Sequence, residues 1–286
     1  MLGSFIAIEG FGIVFLTTVR SSLIFNFSYL FLDFSYSINI FCKCLSVSYN
    51  KMLERLSEAF KIQRQFTENA AHELRTPLSL MQIQLDLYNS GKHPGNDADT
   101  IQTIKMVTEQ NERLSKMVKT LIDMSELQTV GRDETIIVNA LIDEVLADLE
   151  PLAQEKNIKL IGKCKDVNMV GSDILIYRLV YNLVENAIKY NHSGGQVIVE
   201  AYQKEKQVYL SVEDTGSGIP EELKERVFEP FFRVDKSRSR ELGGVGLGLA
   251  LVNEIVRVHD GSIAIRPNPS GGTIIEVQFA VNRTTA

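Results

Sequence analysis

Cysteine is scarce in this chain: its 286 residues hold three, Cys42, Cys44 and Cys164. A Cys-x-Cys pair without a second cluster builds neither a four-ligand zinc site nor a disulfide framework, so a reducing compartment is expected. Positive charge is not in excess either. Lys and Arg number 30 against 36 Asp and Glu, and the net charge of −6 offers no overall face for a polyanion, so nucleic acid is not expected as a partner. The start of the chain lacks the basic residues of a secretory signal peptide. A clean apolar run is missing too. Phe5 to Val19 is short and contains Glu9, and Leu23 to Cys42 carries Asn26, Asp33 and Asn39. Spanning takes about 20 apolar residues, and an Asp at mid-membrane costs roughly 3 kcal/mol. For this leader, residues 1–45, membrane association as a hairpin around Arg20 is expected, with a buried or spurious leader as the alternative. No internal repeat or low-complexity tract occurs.

What is present is enough chain for more than one core, and two folded units after the leader are expected. From Ser46 the texture becomes that of a charged helix. Leu53, Leu56, Phe60, Ala70, Leu74, Leu78 and Met81 recur mostly at three- and four-residue steps, which makes one apolar stripe. Gly91 to Gly95 breaks it. A second helix begins near Asp97, and Ile104, Val107, Asn111, Leu114, Val118 and Leu121 hold a heptad spacing to about Leu127. Such a hairpin leaves much of its stripe bare unless two copies pair into a four-helix bundle, so a homodimer is expected. After the joint at residues 130–133 the pattern mixes strands near Ile136, Ile158 and Met169 with helices from Ala140 and from Asp173 to Tyr190. Strands follow at Gln196 to Tyr202 and Gln207 to Glu213. A helix from Val245 to His259 and strands at Ser262 to Arg266 and Thr273 to Phe279 close the chain. The fold class is therefore α+β: a helical hairpin, residues 46–129, then a sheet with helices packed on one side, residues 134–282.

The chemistry concentrates in a few segments. His72 sits about 200° around the first helix from the apolar stripe and should face solvent, which favours a phosphate acceptor over a packed core histidine. Glu73 is adjacent and able to hold or remove the proton on one ring nitrogen while the other attacks phosphorus; a solvated helix charge is the plainer reading. Thr76 lies one turn on and could position a water, and Pro77 should loosen the helix beside the acceptor. In the second half Asn182 and Asn186, four apart with Lys189 at three more, share a helix face. Their amide oxygens suit Mg²⁺ held jointly with phosphates, although paired Asn residues are more often surface or capping groups. Asp214-Thr-Gly216-Ser-Gly218 ends a strand, where a carboxylate can accept from an exocyclic amine or simply sit in a turn. Gly244, Gly246 and Gly248 precede an apolar helix whose free N–H groups suit an anion, but they miss the GxGxxG spacing. Arg233, Lys236, Arg238 and Arg240 just before them suggest a loop that closes over a triphosphate, where the plainer alternative is a surface loop.

Taken together these segments resemble the sensor histidine kinases of two-component systems over roughly Ser46 to Val281. His72-Glu-Leu-Arg-Thr-Pro77 is similar to the phosphoacceptor box and Asn182-Leu-Val-Glu-Asn186-Ala-Ile-Lys189-Tyr190 to the N box. Asp214 to Gly218, Gly244 to Gly248 and Gly271-Gly-Thr273 resemble the glycine boxes, and Phe228-Glu-Pro-Phe-Phe232 the F box. The resemblance implies a Bergerat-type α/β sandwich that binds ATP behind a dimerisation and phosphotransfer hairpin. It further implies Mg²⁺ at Asn182 and Asn186, phosphates at Lys189 and Arg238, adenine near Tyr190 and its amine at Asp214. Gly216, Gly218, Gly244, Gly246, Gly248 and Thr273 would complete the nucleotide site. His72 would take the γ-phosphoryl group, with Glu73 and Thr76 assisting, and pass it to an aspartate on a response regulator receiver domain. The Glu73 to Thr76 spacing often accompanies regulator phosphatase activity in this family.

Members of the family usually carry two spanning helices, an external sensing region and a juxtamembrane linker module before the acceptor helix, whereas fewer than 50 residues precede it here, so a truncated or misassembled start is expected. The catalytic parts are placed in the cytoplasm and the leader at the cell membrane. Two other readings stand beside the kinase: a non-signalling clamp ATPase of the same fold, and an inactive ATP-binding or dimerisation module.

Overall fold

The computed structural model describes residues 3–89, 97–127, 129–235 and 244–281, with the side chains of residues 3–42, 44 and 97–99 outside the description. The chain divides into two compact units, residues 1–67 and 68–286. The first is the leading part of helix α1 (Gly3–Asn89), which passes Ser46 without a break although the composition changes there. Leu53, Leu56 and Phe60 of the stripe are exposed on it. No described helix is long and apolar enough to cross a membrane. The glycine break expected at Gly91 to Gly95 lies outside the described residues.

The second unit holds the end of α1, then α2 (Asp97–Glu126), and a sheet domain. Its elements run β1 (Glu134–Ile137), α3 (Val138–Glu155), β2 (Lys159–Cys164), β3 (Asn168–Gly171), α4 (Asp173–Lys189), β4 (Gln196–Lys204), β5 (Gln207–Asp214), α5 (Gly248–Val258), β6 (Ser262–Pro267) and β7 (Thr273–Ala280). The main sheet has the order β2-β4-β5-β7-β6, with β2 and β4 parallel and the other neighbours antiparallel. Strands β1 and β3 form a separate two-stranded ladder.

Alternation decides which face is covered. Val197, Val199 and Ala201 on β4, Val208, Leu210 and Val212 on β5, and Ile275, Val277 and Phe279 on β7 point to one side and are buried. Against them lies α4, whose Leu175, Ile176, Leu179, Val180, Leu183, Val184, Ala187 and Ile188 fall at helical steps on one buried face. Asp173 in its first turn and Lys189 in its last complement the helix dipole. Helices α3 and α5 pack on α4 in the same layer, and their Leu141, Ile142, Val145, Leu251 and Ile255 join one core. The α+β sheet with helices on one side is thus the observed architecture. One boundary moves: the last helix begins at Gly248, not Val245, because Gly246 takes a φ of +78° and forces a turn ahead of it.

Candidate functional site

Strand ends and helix ends converge on one cavity of about 380 Å³ between α4, the end of β5, the start of β7 and the start of α5, a size that suits a small organic ligand. Asn182, Asn186, Lys189 and Tyr190 line it from α4 and its end, Asp214 and Gly218 from the end of β5, and Thr273 from the start of β7. Gly244, Gly246 and Gly248 line it from the turn into α5. Gly216 serves from behind, its N–H donating to Asp214 Oδ1 at 2.8 Å. Arg238, with Lys236 and Arg240, lies outside the described residues.

Asp214 is fixed by its neighbours. Its Oδ1 also takes the Thr273 N–H at 3.3 Å, and Asn268 Nδ2 donates to its backbone oxygen at 2.7 Å. Burial pushes its carboxyl above the usual aspartate range, and the two backbone donors offset that only in part. This close approach requires glycine at 272: its φ is +93°, and a Cβ there would stand 2.2 Å from the Asp214 carbonyl oxygen. A Cβ at Gly246 would likewise lie 2.6 Å from the Phe232 oxygen.

On α4, Asn182 Nδ2 donates to the Arg178 carbonyl at 2.7 Å, which leaves its amide oxygen as the group presented to Gly248 and the cavity. Glu185, one turn on, is nearly buried and accepts from two lysines, Lys189 at 3.1 Å and Lys116 of α2. Burial alone would raise the Glu185 carboxyl, but the Lys189 and Lys116 ammonium groups outweigh it and hold the carboxyl below its usual range. Burial lowers the Lys189 ammonium, and Glu185 offsets only part of that. Burial works the same way on Lys116, but there the Glu185 hydrogen bond and charge prevail and the ammonium is raised. Among the described residues no group of three or more His, Cys, Asp or Glu is placed to hold a metal.

The acceptor segment lies on α1 in the same unit. The His72 side is exposed, as the stripe geometry required. Three neighbours have contacts of their own. The Thr76 hydroxyl donates to the His72 carbonyl at 3.2 Å, satisfying itself on the backbone. Pro77 is buried and α1 continues through it to Asn89, so the expected loosening leaves the helical span intact. Glu73 Oε2 accepts from Arg233 at 2.5 Å and lies 3.7 Å from Arg113, so in this arrangement its carboxylate is held by guanidinium groups. Arg233, only 6% exposed, also donates to the Val245 carbonyl at 3.3 Å. Sequence reasoning passed over Glu185, Lys116 and this Arg233–Glu73 pair. A Glu beside Asn186 on an apolar helix face was a signal for the first; the others depend on which helix docks where.

Two segments match families of known proteins. Residues 62–130 match the His Kinase A (phospho-acceptor) domain, and residues 171–283 match the family described as histidine kinase-, DNA gyrase B-, and HSP90-like ATPase. Among curated relatives, the sensor protein CutS of Streptomyces coelicolor is 34% identical over 245 residues, covering 84% of this chain and 58% of CutS. The signal transduction histidine-protein kinase ArlS of Staphylococcus aureus is 32% identical over 244 residues, covering 82% of this chain and 52% of ArlS. The chain thus spans a little over half the length of these relatives. Among solved structures, histidine kinase ThkA in complex with response regulator protein TrrA aligns with a TM-score of 0.66 at 25% identity, over 80% of this chain and 65% of that one. Acinetobacter baumannii histidine kinase AdeS aligns with a TM-score of 0.61 at 24% identity over 73% of this chain and 98% of its own, a likeness of fold. With an acceptor domain followed by an ATPase domain of this kind, the chain belongs to the sensor histidine kinases of two-component systems.

Proposed function

We propose that the chain is an autophosphorylating histidine kinase: it binds ATP in the α4–β5–α5 cavity, transfers the γ-phosphoryl group to His72, and then to an aspartate of a response regulator. The observation that carries this reading is the convergence of Asn182, Asn186, Lys189, Asp214 and the Gly244–Gly248 turn on one cavity, in the unit that also exposes His72. The ThkA structure, solved with its response regulator, supports the second step by likeness.

In the first step a ring nitrogen of His72 attacks the γ phosphorus. The N–P bond forms, the bond to the bridging oxygen breaks, and ADP leaves with that electron pair. Glu73 takes the proton from the far ring nitrogen once it has exchanged Arg233 for the imidazole. Asp214 accepts the adenine amine beside Tyr190, and the N–H groups opening α5 face the phosphates with Lys189. Positioning and charge neutralisation carry most of the barrier reduction in such transfers. Arg238 is assigned to the phosphates as well. The amide oxygens of Asn182 and Asn186 are hard donors of the kind Mg²⁺ accepts alongside phosphates and water; Asn182 already presents its oxygen towards Gly248, and Asn186, whose Nδ2 is the atom nearer Gly248, would turn its amide over to do the same. Bound there, Mg²⁺ would neutralise phosphate charge. Thr76 is assigned to regulator dephosphorylation, the hairpin to homodimerisation, and the leader to membrane association with the catalytic parts in the cytoplasm.

Incubation with γ-labelled ATP should give a protein-bound label that is stable in base and labile in acid, and His72→Gln should abolish it. Undiminished labelling of that variant overturns the assignment. Steady phosphate release with no protein label would instead indicate a clamp-type ATPase.

A further inference from the structure

The nucleotide cavity is not built by the sheet domain alone. Lys116 and Thr120, both on α2, line it together with Asn182, Asn186 and Lys189 of α4. Lys116 Nζ donates to Glu185 Oε1, and Lys189 Nζ lies 3.1 Å from that same oxygen. Two ammonium groups thus share one carboxylate. The Glu185 side chain is 10% exposed, whereas Lys116 remains about half exposed and has donor capacity to spare. Glu185 and Lys189 by themselves sum to zero charge, so Lys116 gives this triad on the α4 side of the cavity one net positive charge, away from the Asp214 end. Among the described residues lining the cavity, the remaining cation, Arg233, is committed to Glu73 and the Val245 carbonyl. The position of Lys116 is also well determined. Two turns further along α2, Asp123 pairs with Arg178 of α4 at 2.8 Å, and Leu127 just beyond α2 is buried in the core that contains α3 and α4.

Resting on the reading of this cavity as an ATP site, we propose that Lys116 is a polyphosphate-binding residue that the phosphotransfer hairpin contributes to the nucleotide site of the ATPase domain. Two consequences follow from charge and linkage. A triphosphate gains from the extra cation only when α2 is docked on α4, and docking is favoured by the same free energy when a triphosphate is bound. The effect grows with phosphate charge, so it distinguishes ATP from ADP and both from adenosine, which would occupy the Asp214 end with no charge to offer Lys116.

Calorimetric binding of Mg-ATP, Mg-ADP and adenosine to the full chain tests this with Lys116→Gln and Lys116→Arg. Glutamine should weaken ATP about fivefold, the value of one partly exposed charge contact, weaken ADP less, and leave adenosine unchanged; arginine should restore ATP binding. In hydrogen exchange, ATP but not adenosine should slow residues 113–121 of the unsubstituted chain, and Lys116→Gln should remove that slowing. Equal loss for all three ligands would reveal a structural role and overturn the proposal. So would unchanged or tighter ATP binding, the latter meaning that Lys116 seals the cavity against phosphate. A chain that binds no ATP with Lys116 intact would overturn the ATP reading itself, whereas a chain that binds ATP equally well with and without Lys116 overturns this inference alone.

Discussion

At the scale of single residues, Asp214 shows how the protein makes one carboxylate specific. It is largely buried, its carboxyl is raised by that burial, and Oδ1 is occupied by the Gly216 and Thr273 N–H groups. The sign of the linkage is the reverse of a salt-bridged aspartate. A raised folded-state pKa means the native protein favours the protonated form, so the stability this group contributes is present at low pH and is lost as pH rises through the folded value. Ligand binding runs the other way, because only the carboxylate accepts fully from an amine. ATP affinity is therefore expected to fall on acidification at a higher pH than an ordinary aspartate would give, and Asp214→Asn should flatten that limb. The variant should weaken ATP by roughly ten- to a hundredfold, the loss of one charge-assisted hydrogen bond, without lowering the unfolding midpoint. A titration of affinity against pH for both chains checks this.

At the scale of elements, the layer of helices is joined through His259 at the end of α5. This ring is 5% exposed; its Nε2 accepts the Ser172 N–H at the start of α4 (3.1 Å), and its Nδ1 lies 2.9 Å from the Ile255 carbonyl. Acceptance at Nε2 places the ring proton on Nδ1, where it donates to that carbonyl, so the geometry requires the neutral tautomer. The ring also packs edge-on against Phe279 of β7. His259→Phe preserves the ring's bulk but strands the buried Ser172 N–H, while the Ile255 carbonyl keeps the backbone N–H of residue 259, and the change should cost about 2 kcal/mol, read as a lower denaturant midpoint with little change in nucleotide affinity. Helix α1 makes the complementary point. Pro77 cannot donate to the preceding turn, yet the helix persists, since a long helix has many other hydrogen bonds that hold its axis.

At the scale of the whole molecule, one chain does not cover its own hairpin. Leu78, Ile83, Ile101, Ile104, Met106, Val118 and Ile122 are all more than a third exposed, and Ile104 and Val118 stand at heptad positions, 60% and 45% exposed. Apolar surface of this extent on paired helices calls for a second copy. Ile104→Glu with Val118→Glu should convert a dimer into monomers in sedimentation, while ATP binding at the cavity persists; a chain that is monomeric before substitution would contradict the bundle. The same scale contains the arrangement in which Arg233 holds Glu73 and Lys116 holds Glu185, two contacts that link the acceptor hairpin to the ATPase domain.

The sequence by itself determined the elements and the kind of chemistry. Alternation in β5 marked the buried sheet face, and the four- and three-residue steps of Asn182, Asn186 and Lys189 put them on one face of α4 towards the cavity where we propose the nucleotide, because these are local patterns with local causes. Tertiary structure alone decided what depends on distant parts of the chain meeting. It brought Gly272 onto Asp214, His259 onto Ser172 and Lys116 onto Glu185, and it turned Glu73 towards Arg233, 160 positions away. No periodicity encodes such contacts, since each is set by the packing of whole helices and strands against one another rather than by the residues on either side.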